Sequence, residues 1–281
     1  MFEVLSSERI APKEYDLWVK APKIAKHARP GQFVVIRPDE RGERIPLTIA
    51  DFDIEREAIR VIFQAVGKTT TRMASIRAGD AILDISGPLG RPSEIEKLGT
   101  VMMIGGGVGI AALFPILRAL KQAGNRVITV LGGRTSDLVI MKKECGGFSD
   151  ELIITTDDGS DGMKGLVTDA MKMIVGRGDE ISQCWAIGPT IMMKFCAMTA
   201  SELGLSIWVS MNPIMLDGTG MCGCCRLTVD GEIKFGCVDG PEFDGSLINW
   251  DEFMSRMRQY KDEEKISMEK YQEEVGDLSW L

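Results

Sequence analysis

Apolar and polar residues alternate along the first third of the chain in short runs closed by Gly, Pro and Asp: FEVLSSERI, YDLWVKAP, GQFVVIRP, RIPLTIADFD, AIRVIFQAVG and DAILDISG. Alternation with a period of two turns one face of each run inward. Regular short strands separated by turn residues predict a small antiparallel barrel from Phe2 to about Leu83. Helical spacing shows only briefly, around Thr69 to Arg77.

Past GPLGRPSEIEKLG the rhythm changes to apolar strands followed by longer amphipathic runs. TVMMIGGG leads to IAALFPILRALKQAG, RVITVLGG to DLVIMKKEC, ELIITTDDG to LVTDAMKMIVG, and CWAIGP to TIMMKFCAMTASELG. Such strand–helix units in succession imply a parallel sheet with helices on its faces. The predicted fold class is therefore β plus α/β, with residues 1–95 as the barrel and 96–209 as the α/β domain. Residues 210–245 form a glycine- and cysteine-rich section with little room for a core, which needs a metal centre to hold it. Residues 246–281 read as a helical tail, too charged for a core yet carrying Trp250, Phe253, Tyr260, Tyr271 and Trp280.

The net charge of -8 argues against a nucleic-acid partner, which needs a surplus of Lys and Arg on some surface. The first residues lack the basic stretch, apolar core and small-residue cleavage site of a secretory signal. The most apolar stretch, Val101 to Leu117, is interrupted by glycines and a proline and falls short of the roughly 20 apolar residues of a membrane span. Cysteines stand at 145, 184, 196, 222, 224, 225 and 237, an odd count crowded near one end, which suits metal ligation better than a disulfide framework. A reducing, cytoplasmic setting follows as the expectation, with no membrane partner.

Gly105-Gly106-Gly107-Val108-Gly109 joins a strand to a helix. Glycines there let a backbone approach a pyrophosphate at the helix start, although close packing alone also accounts for them. Asp157 and Asp158 end the third parallel strand, where carboxylates can accept hydrogen bonds from ribose hydroxyls; a solvated Asx turn is the alternative. Asp217-Gly218-Thr219-Gly220-Met221-Cys222-Gly223-Cys224-Cys225, with Cys237 beyond it, offers thiolates and one carboxylate on a flexible loop, suited to an iron–sulfur cluster or to zinc. Cys145, Cys184 and Cys196 lie in apolar runs and read as core residues. His27 reads as exposed, and as the sole histidine it excludes a mechanism that needs two. Arg44-Ile45-Pro46-Leu47-Thr48 carries no signal from first principles.

Taken together these residues resemble the ferredoxin–NADP reductase superfamily, and within it the branch of iron–sulfur flavoprotein electron-transfer subunits. That branch includes the electron-transfer subunits of dihydroorotate dehydrogenase and the small subunits of NADH-dependent reduced ferredoxin:NADP oxidoreductase and sulfide dehydrogenase. The resemblance implies that Arg44, Pro46, Leu47 and Thr48 grip FAD, with Arg44 on the diphosphate and Thr48 near the isoalloxazine ring. A second FAD segment is implied at Gln64, Val66, Gly67, Thr69, Thr70 and Thr71. For NAD(H) it implies Gly105, Gly106, Gly107, Gly109 and Ile110, supported by Gly133, Arg134, Asp157, Asp158, Gly188, Pro189 and Met192. It implies a [2Fe–2S] cluster on Asp217, Cys222, Cys225 and Cys237, leaving Cys224 out. Aspartate in place of the first cysteine favours the ferredoxin:NADP or sulfide dehydrogenase members.

The function so implied is an NAD(H)-handling subunit of an electron-bifurcating ferredoxin:NADP oxidoreductase. It would relay electrons between NAD(H), FAD and the cluster and dock a larger flavin- and iron–sulfur-containing subunit through the cluster loop and tail. An electron-transfer subunit of another oxidase, such as dihydroorotate dehydrogenase, and a zinc-stabilised nucleotide-binding sensor are the alternatives.

Overall fold

The computed structural model describes residues 1–276 and Leu278, so Trp280 lies outside the described residues. The first part of the chain contains β1 (Phe2–Ala11), β2 (Glu14–Lys20), α1 (Pro22–His27), β3 (Phe33–Arg37), β4 (Ile45–Asp53), β5 (Ala58–Gln64), α2 (Lys68–Met73), β6 (Ala81–Ile82) and β7 (Asp84–Leu89). The strands form an antiparallel half-barrel in the order β6-β1-β2-β5-β4-β3-β7. Period-two alternation places Leu17, Val19, Ile59, Val61, Phe63, Val34 and Ile36 inside one core. Helix α1 escapes periodicity analysis because it is too short: it opens on Pro22 and buries only Ile24 and Ala25.

The second part contains β8 (Thr100–Gly106), α3 (Gly109–Gln122), β9 (Arg126–Gly133), α4 (Lys142–Gly147), β10 (Glu151–Thr156), β11 (Met163–Lys164), α5 (Val167–Gly176), β12 (Gln183–Ile187), α6 (Thr190–Glu202) and β13 (Ile207–Ser210). Beyond these come β14 (Arg226–Val229), β15 (Glu232–Phe235), β16 (Glu242–Asp244), α7 (Trp250–Arg256) and α8 (Lys261–Val275). The order β11-β10-β9-β8-β12-β13-β16 is parallel throughout except for β16, which runs antiparallel to β13. Helices cover its faces, and Cys184, Cys196 and Cys145 are fully buried among them. His27 is exposed.

Three segments depart from the sequence reading. DLVIMKKEC is helical only from Lys142; Val139 and Ile140 are buried ahead of it, and Met141 takes a left-handed φ of 54° that separates the two conformations. The cysteine-rich section has its core in common with the parallel sheet, because Leu227, Val229 and Phe243 bury into that sheet's hydrophobic cluster and hold the section there. The tail likewise divides. Trp250 and Phe253 of α7 belong to that cluster, whereas α8 buries no residue. The charge that marks the tail as surface resides in α8, and α7 is an ordinary amphipathic helix.

Barrel and parallel sheet meet along a packed seam. Ala50 and Ile62 of the barrel join the cluster formed by α3 and the adjacent strands. Arg60 on β5 donates to Asp16 on β2 at 2.6 Å and to Glu144 on α4 at 2.7 Å, with only 11% of the Arg60 and Asp16 side chains exposed. Arg118 on α3 makes a two-pronged contact with Asp51 on β4, at 2.6 and 3.1 Å. Paired guanidinium donors fix orientation as well as distance. On the linker side, the Ser93 hydroxyl donates to Glu242 on β16 at 2.8 Å.

Two expectations follow. Arg60→Met leaves Asp16 buried and unpaired and should lower stability by about 3 kcal/mol in urea unfolding; a loss below about 1 kcal/mol would show the ion pair to be dispensable. Burial pushes the Glu242 carboxyl up to about 7. A carboxyl whose folded pKa lies above its unfolded value gives stability that is full at low pH and is lost as the pH rises through the folded value. Glu242→Gln should therefore flatten the decline in stability between about pH 4.5 and pH 7, and an unaltered profile counts against this role of Glu242.

Candidate functional site

A cleft of about 960 Å³ opens between the half-barrel and the carboxyl edge of the parallel sheet, a volume in the upper range for small-molecule sites. It sits where β8 and β12 lie side by side while their chains leave toward opposite ends of the sheet, the switch point at which open α/β sheets bind ligands. Gly106, Gly107, Gly109, Gly188, Pro189 and Met192 line it. Gly107 has φ +52°, and a Cβ on Gly109 would lie 2.5 Å from both the Gly188 Cα and the Ile187 carbonyl oxygen. The glycines thus serve close packing of the two loops, and that packing brings the open N-terminus of α3 to the cleft. Gly105 and Ile110 stay behind the wall, both buried.

The two neighbouring aspartates part company. Asp157 lines the cleft together with Gly133 and Arg134. Asp158 instead accepts hydrogen bonds from the Ser160 amide at 2.9 Å and hydroxyl at 2.7 Å, closing an Asx turn outside the cleft. These bonds, the hydroxyl's first, hold its carboxyl below the usual carboxylate range.

From the barrel, Pro46, Leu47 and Thr48 of β4 line the opposite wall, with Gln64, Val66 and Thr70. The Thr70 hydroxyl is engaged in the loop itself: it accepts from the Gly67 amide at 3.0 Å and the Val66 amide at 3.1 Å, shaping the turn into α2. Thr69 donates to Glu43 at 2.9 Å, and Thr71 is buried with its hydroxyl unpartnered. Arg44 reaches toward Ser86 at 3.4 Å and Asp84 at 3.7 Å on β7 and does not line the cleft. Neither do Gly67, Thr69 or Thr71.

The cysteine loop closes one end. Left-handed φ values at Gly218, Gly220 and Gly223 curl it tightly. The Asp217 carboxylate accepts from the Thr219 amide at 2.8 Å and the Cys222 amide at 2.9 Å, and these bonds, Thr219's first, lower its pKa. Cys222 is exposed. Cys225 and Cys237 are buried with their sulfurs 3.2 Å apart. Burial first, then the neighbouring Cys225, pushes the Cys237 thiol up. Two facing buried thiols ionise only beside a compensating cation, so the pair fits a thiophilic metal. Among the described residues, no three His, Cys, Asp or Glu side chains converge on one point; the loop gathers one buried sulfur pair and one Asp217–Cys222 contact. Cys224 is half-buried, and its carbonyl accepts from Arg256 at 3.1 Å.

Phe33, Val35, Met215, Cys225 and Cys237 form one small apolar cluster, and of these Phe33 and Met215 also line the cleft. The buried sulfur pair thus shares one apolar cluster with two residues of the cleft wall. Sequence reasoning missed Phe33 and Met215. It also missed Glu14, which lines the cleft from β2. The one available signal for Glu14 was an acidic residue in phase with the buried Asp16 on the same strand.

Residues 103–198 match the family model of the oxidoreductase NAD-binding domain, and residues 212–249 that of the iron–sulfur cluster binding domain of dihydroorotate dehydrogenase B. The chain is 55% identical over 275 residues to a Thermotoga maritima protein described as a homolog of the dihydroorotate dehydrogenase B (NAD(+)) electron transfer subunit; the match covers 98% of this chain and 97% of that one. It is 32% identical to the Geobacillus thermodenitrificans dihydroorotate dehydrogenase B electron transfer subunit, over 85% of this chain and 94% of the relative. A chain of the NADH-dependent reduced ferredoxin-NADP oxidoreductase, solved in a study of flavin-based electron bifurcation, superposes with a TM-score of 0.92 at 55% identity, covering 96% of this chain and 98% of that chain. Phthalate dioxygenase reductase, at 17% identity and a TM-score of 0.54 over 71% of this chain and 63% of that one, shares the fold. No helix among the described residues is long and apolar enough to cross a membrane.

Proposed function

Since the chain belongs to the family of dihydroorotate dehydrogenase B electron-transfer subunits and their homologues, we propose that it is the NAD(H)-handling electron-transfer subunit of an electron-bifurcating NADH-dependent ferredoxin:NADP oxidoreductase. The observation that carries this reading is the shared wall: Phe33 and Met215 line the cleft and belong to the same apolar cluster as the buried Cys225–Cys237 pair. A pocket for a two-electron donor and a seat for a one-electron carrier then lie back to back. The 55% identity to a chain of that oxidoreductase, over nearly the whole of both chains, supports the choice among family members.

Bound flavin would accept a hydride from NADH and release its electrons singly to the cluster. The residues of the chain bind, orient and shield. Pro46, Leu47 and Thr48 present one wall to the flavin, and Gln64, Val66 and Thr70 the adjoining one; Arg44, Gly67, Thr69 and Thr71 support that wall from outside the lining. Gly106, Gly107 and Gly109 bring backbone amides and the α3 N-terminus to the dinucleotide phosphates, with Gly188, Pro189 and Met192 opposite and Gly105 and Ile110 setting the turn. Gly133 and Arg134 flank Asp157, whose carboxylate suits a ribose hydroxyl and opposes a 2′-phosphate. Asp217, Cys222, Cys225 and Cys237 would ligate a [2Fe–2S] cluster, the buried sulfur pair anchoring its inner side. The partner is a larger flavin- and iron–sulfur-containing subunit, engaged through the exposed end of the cluster loop, where Met221 is 89% exposed, and through the unburied α8.

Two outcomes test the reading. Metal analysis and absorption of the purified protein should show iron and flavin. Cys225→Ala should lose the cluster, Cys224→Ala should keep it, and Asp217→Cys should keep it with a shifted reduction potential, because thiolate donates more electron density than carboxylate. Cluster loss in Cys224→Ala with retention in Cys225→Ala would overturn the ligand assignment. For the nucleotide, repulsion of about 1.4 kcal/mol at Asp157 gives NADH a preference of at least about tenfold over NADPH, and Asp157→Ser should narrow it. Equal kcat/KM for both nucleotides in the wild type contradicts the assignment.

A further inference from the structure

Glu14 stands apart among the cleft residues because its carboxyl has been taken out of water without a partner. The residue is 1% exposed, its side chain lines the cleft, and its Oε2 has no hydrogen-bond partner. An unpartnered buried carboxyl oxygen is destabilising, and the fold supplies nothing in return. Its place in the sheet is informative. Glu14 on β2 pairs with Gln64 on β5, and β5 lies between β2 and β4. Gln64, Ile62 and Thr48 line the same cleft, so Glu14, opposite Gln64, shares one wall with Thr48 at an offset of two residues along the strands. Two strand spacings of about 4.8 Å and two residues of rise separate their backbones, a span on the scale of a fused three-ring system.

We propose that Glu14 is the proton-holding residue of the flavin-binding wall, giving a proton to the ring system when it is reduced by NADH and taking it back when electrons leave for the cluster. The inference rests on the flavin reading given above. The balance requires a proton source, and a buried carboxyl on the wall supplies one inside the cleft. A hydride delivers two electrons and one proton, so full reduction to the neutral dihydro form needs one further proton. Single-electron departure to the cluster carries no protons, so both must return to a base or to solvent. In the forward step the Glu14 O–H bond breaks and an N–H bond forms on the ring, leaving a carboxylate. In the reverse step the N–H bond breaks and the carboxylate is reprotonated.

The electrostatic surroundings agree. Burial alone, with no charged neighbour contributing, raises the Glu14 pKa to about 7, where a carboxyl exchanges its proton at neutral pH. Arg134 and Asp157 line the same cleft from the sheet side, and the charged groups nearest Glu14 on the packed strands and on α3 pair with one another. Asp16 and Arg60 pair with each other and Arg60 with Glu144, while Arg118 of α3 pairs with Asp51 of β4. The β1 residue opposite Glu14 is Ala11, and α3 presents Ala111 and Ala112 to the cleft. Lys13 precedes Glu14 at a left-handed φ of 62°, its carbonyl accepting from the Ala65 amide at 2.7 Å. Tyr15 follows, stacked on Phe63 in the barrel core.

The test uses the FAD-loaded protein and reads protons in place of turnover. The reduced-minus-oxidised infrared difference spectrum of the wild type should show loss or shift of a protonated-carboxyl C=O band, absent in Glu14→Gln. The pH dependence of the flavin potential should lose its break near neutrality in the same variant while flavin absorbance is retained. A wild-type spectrum without a carboxyl band overturns the proposal even where Glu14→Gln fails to fold, and so does an identical band or potential profile in a folded variant. Absence of flavin from the wild type overturns the functional reading itself, and a carboxyl signal that persists in Glu14→Gln removes Glu14 alone.

Discussion

The seam between half-barrel and parallel sheet is the constraint on which everything else depends. Neither half encloses a site by itself: the barrel supplies one wall of the cleft and the β8–β12 switch point the other. Two groups that exchange a hydride must be held within about 3.5 Å. Small changes in the angle between the halves would break that contact. The angle is fixed by polar and apolar means together. Ala50 and Ile62 carry barrel side chains into the nucleotide-side core, while Arg60 and Arg118 clamp it from two directions. Ion pairs of this kind add less net stability than their geometry suggests, since desolvation offsets much of the attraction. Their contribution is registration, with the burial of α3 providing the adhesion.

A second coupling ties the cysteine loop to the same frame. Cys225 and Cys237 do not sit in an autonomous module; they pack on Phe33 and Val35 of β3. Arg91, in the linker between the halves, donates to the Val238 carbonyl at 3.2 Å, and its amide donates to the Gly240 carbonyl at 2.6 Å. The strand β16 that follows completes the parallel sheet. A loop anchored to barrel, linker and sheet at once keeps the distance from cleft to sulfur pair insensitive to motion at the exposed tip. That division of labour accounts for the contrast between buried Cys225 and Cys237 and exposed Cys222 and Met221. The inner half is fixed in the frame, and the outer half is available to a partner.

Much of this was legible in the sequence because the signals are local. Alternation in EYDLWVK and AIRVIFQ is the direct imprint of one-sided burial, and GGGVG between a strand and a helix is the imprint of a tight turn against a second loop. Non-local features left weaker traces. Trp250 and Phe253 looked like interface anchors because the surrounding charge belongs to α8, a separate helix that packs its own way. Asp157 and Asp158 are adjacent and chemically identical. Only the fold shows that one faces the cleft and that Ser160 occupies the other. Phe33 and Met215 gave no functional signal, since a residue that serves both core and cleft has the sequence signature of core alone.

The central claim is that electrons pass from a dinucleotide in the cleft to a cluster seated at the wall that Phe33 and Met215 help to form. Anaerobic addition of NADH to the purified FAD- and iron-loaded protein, followed by electron paramagnetic resonance at low temperature, tests it most directly. The account predicts bleaching of the flavin together with the signal of a reduced [2Fe–2S] cluster, formed without any added partner. Flavin that bleaches fully while the cluster stays oxidised, at a potential where it can be reduced chemically, would contradict a direct path between the two.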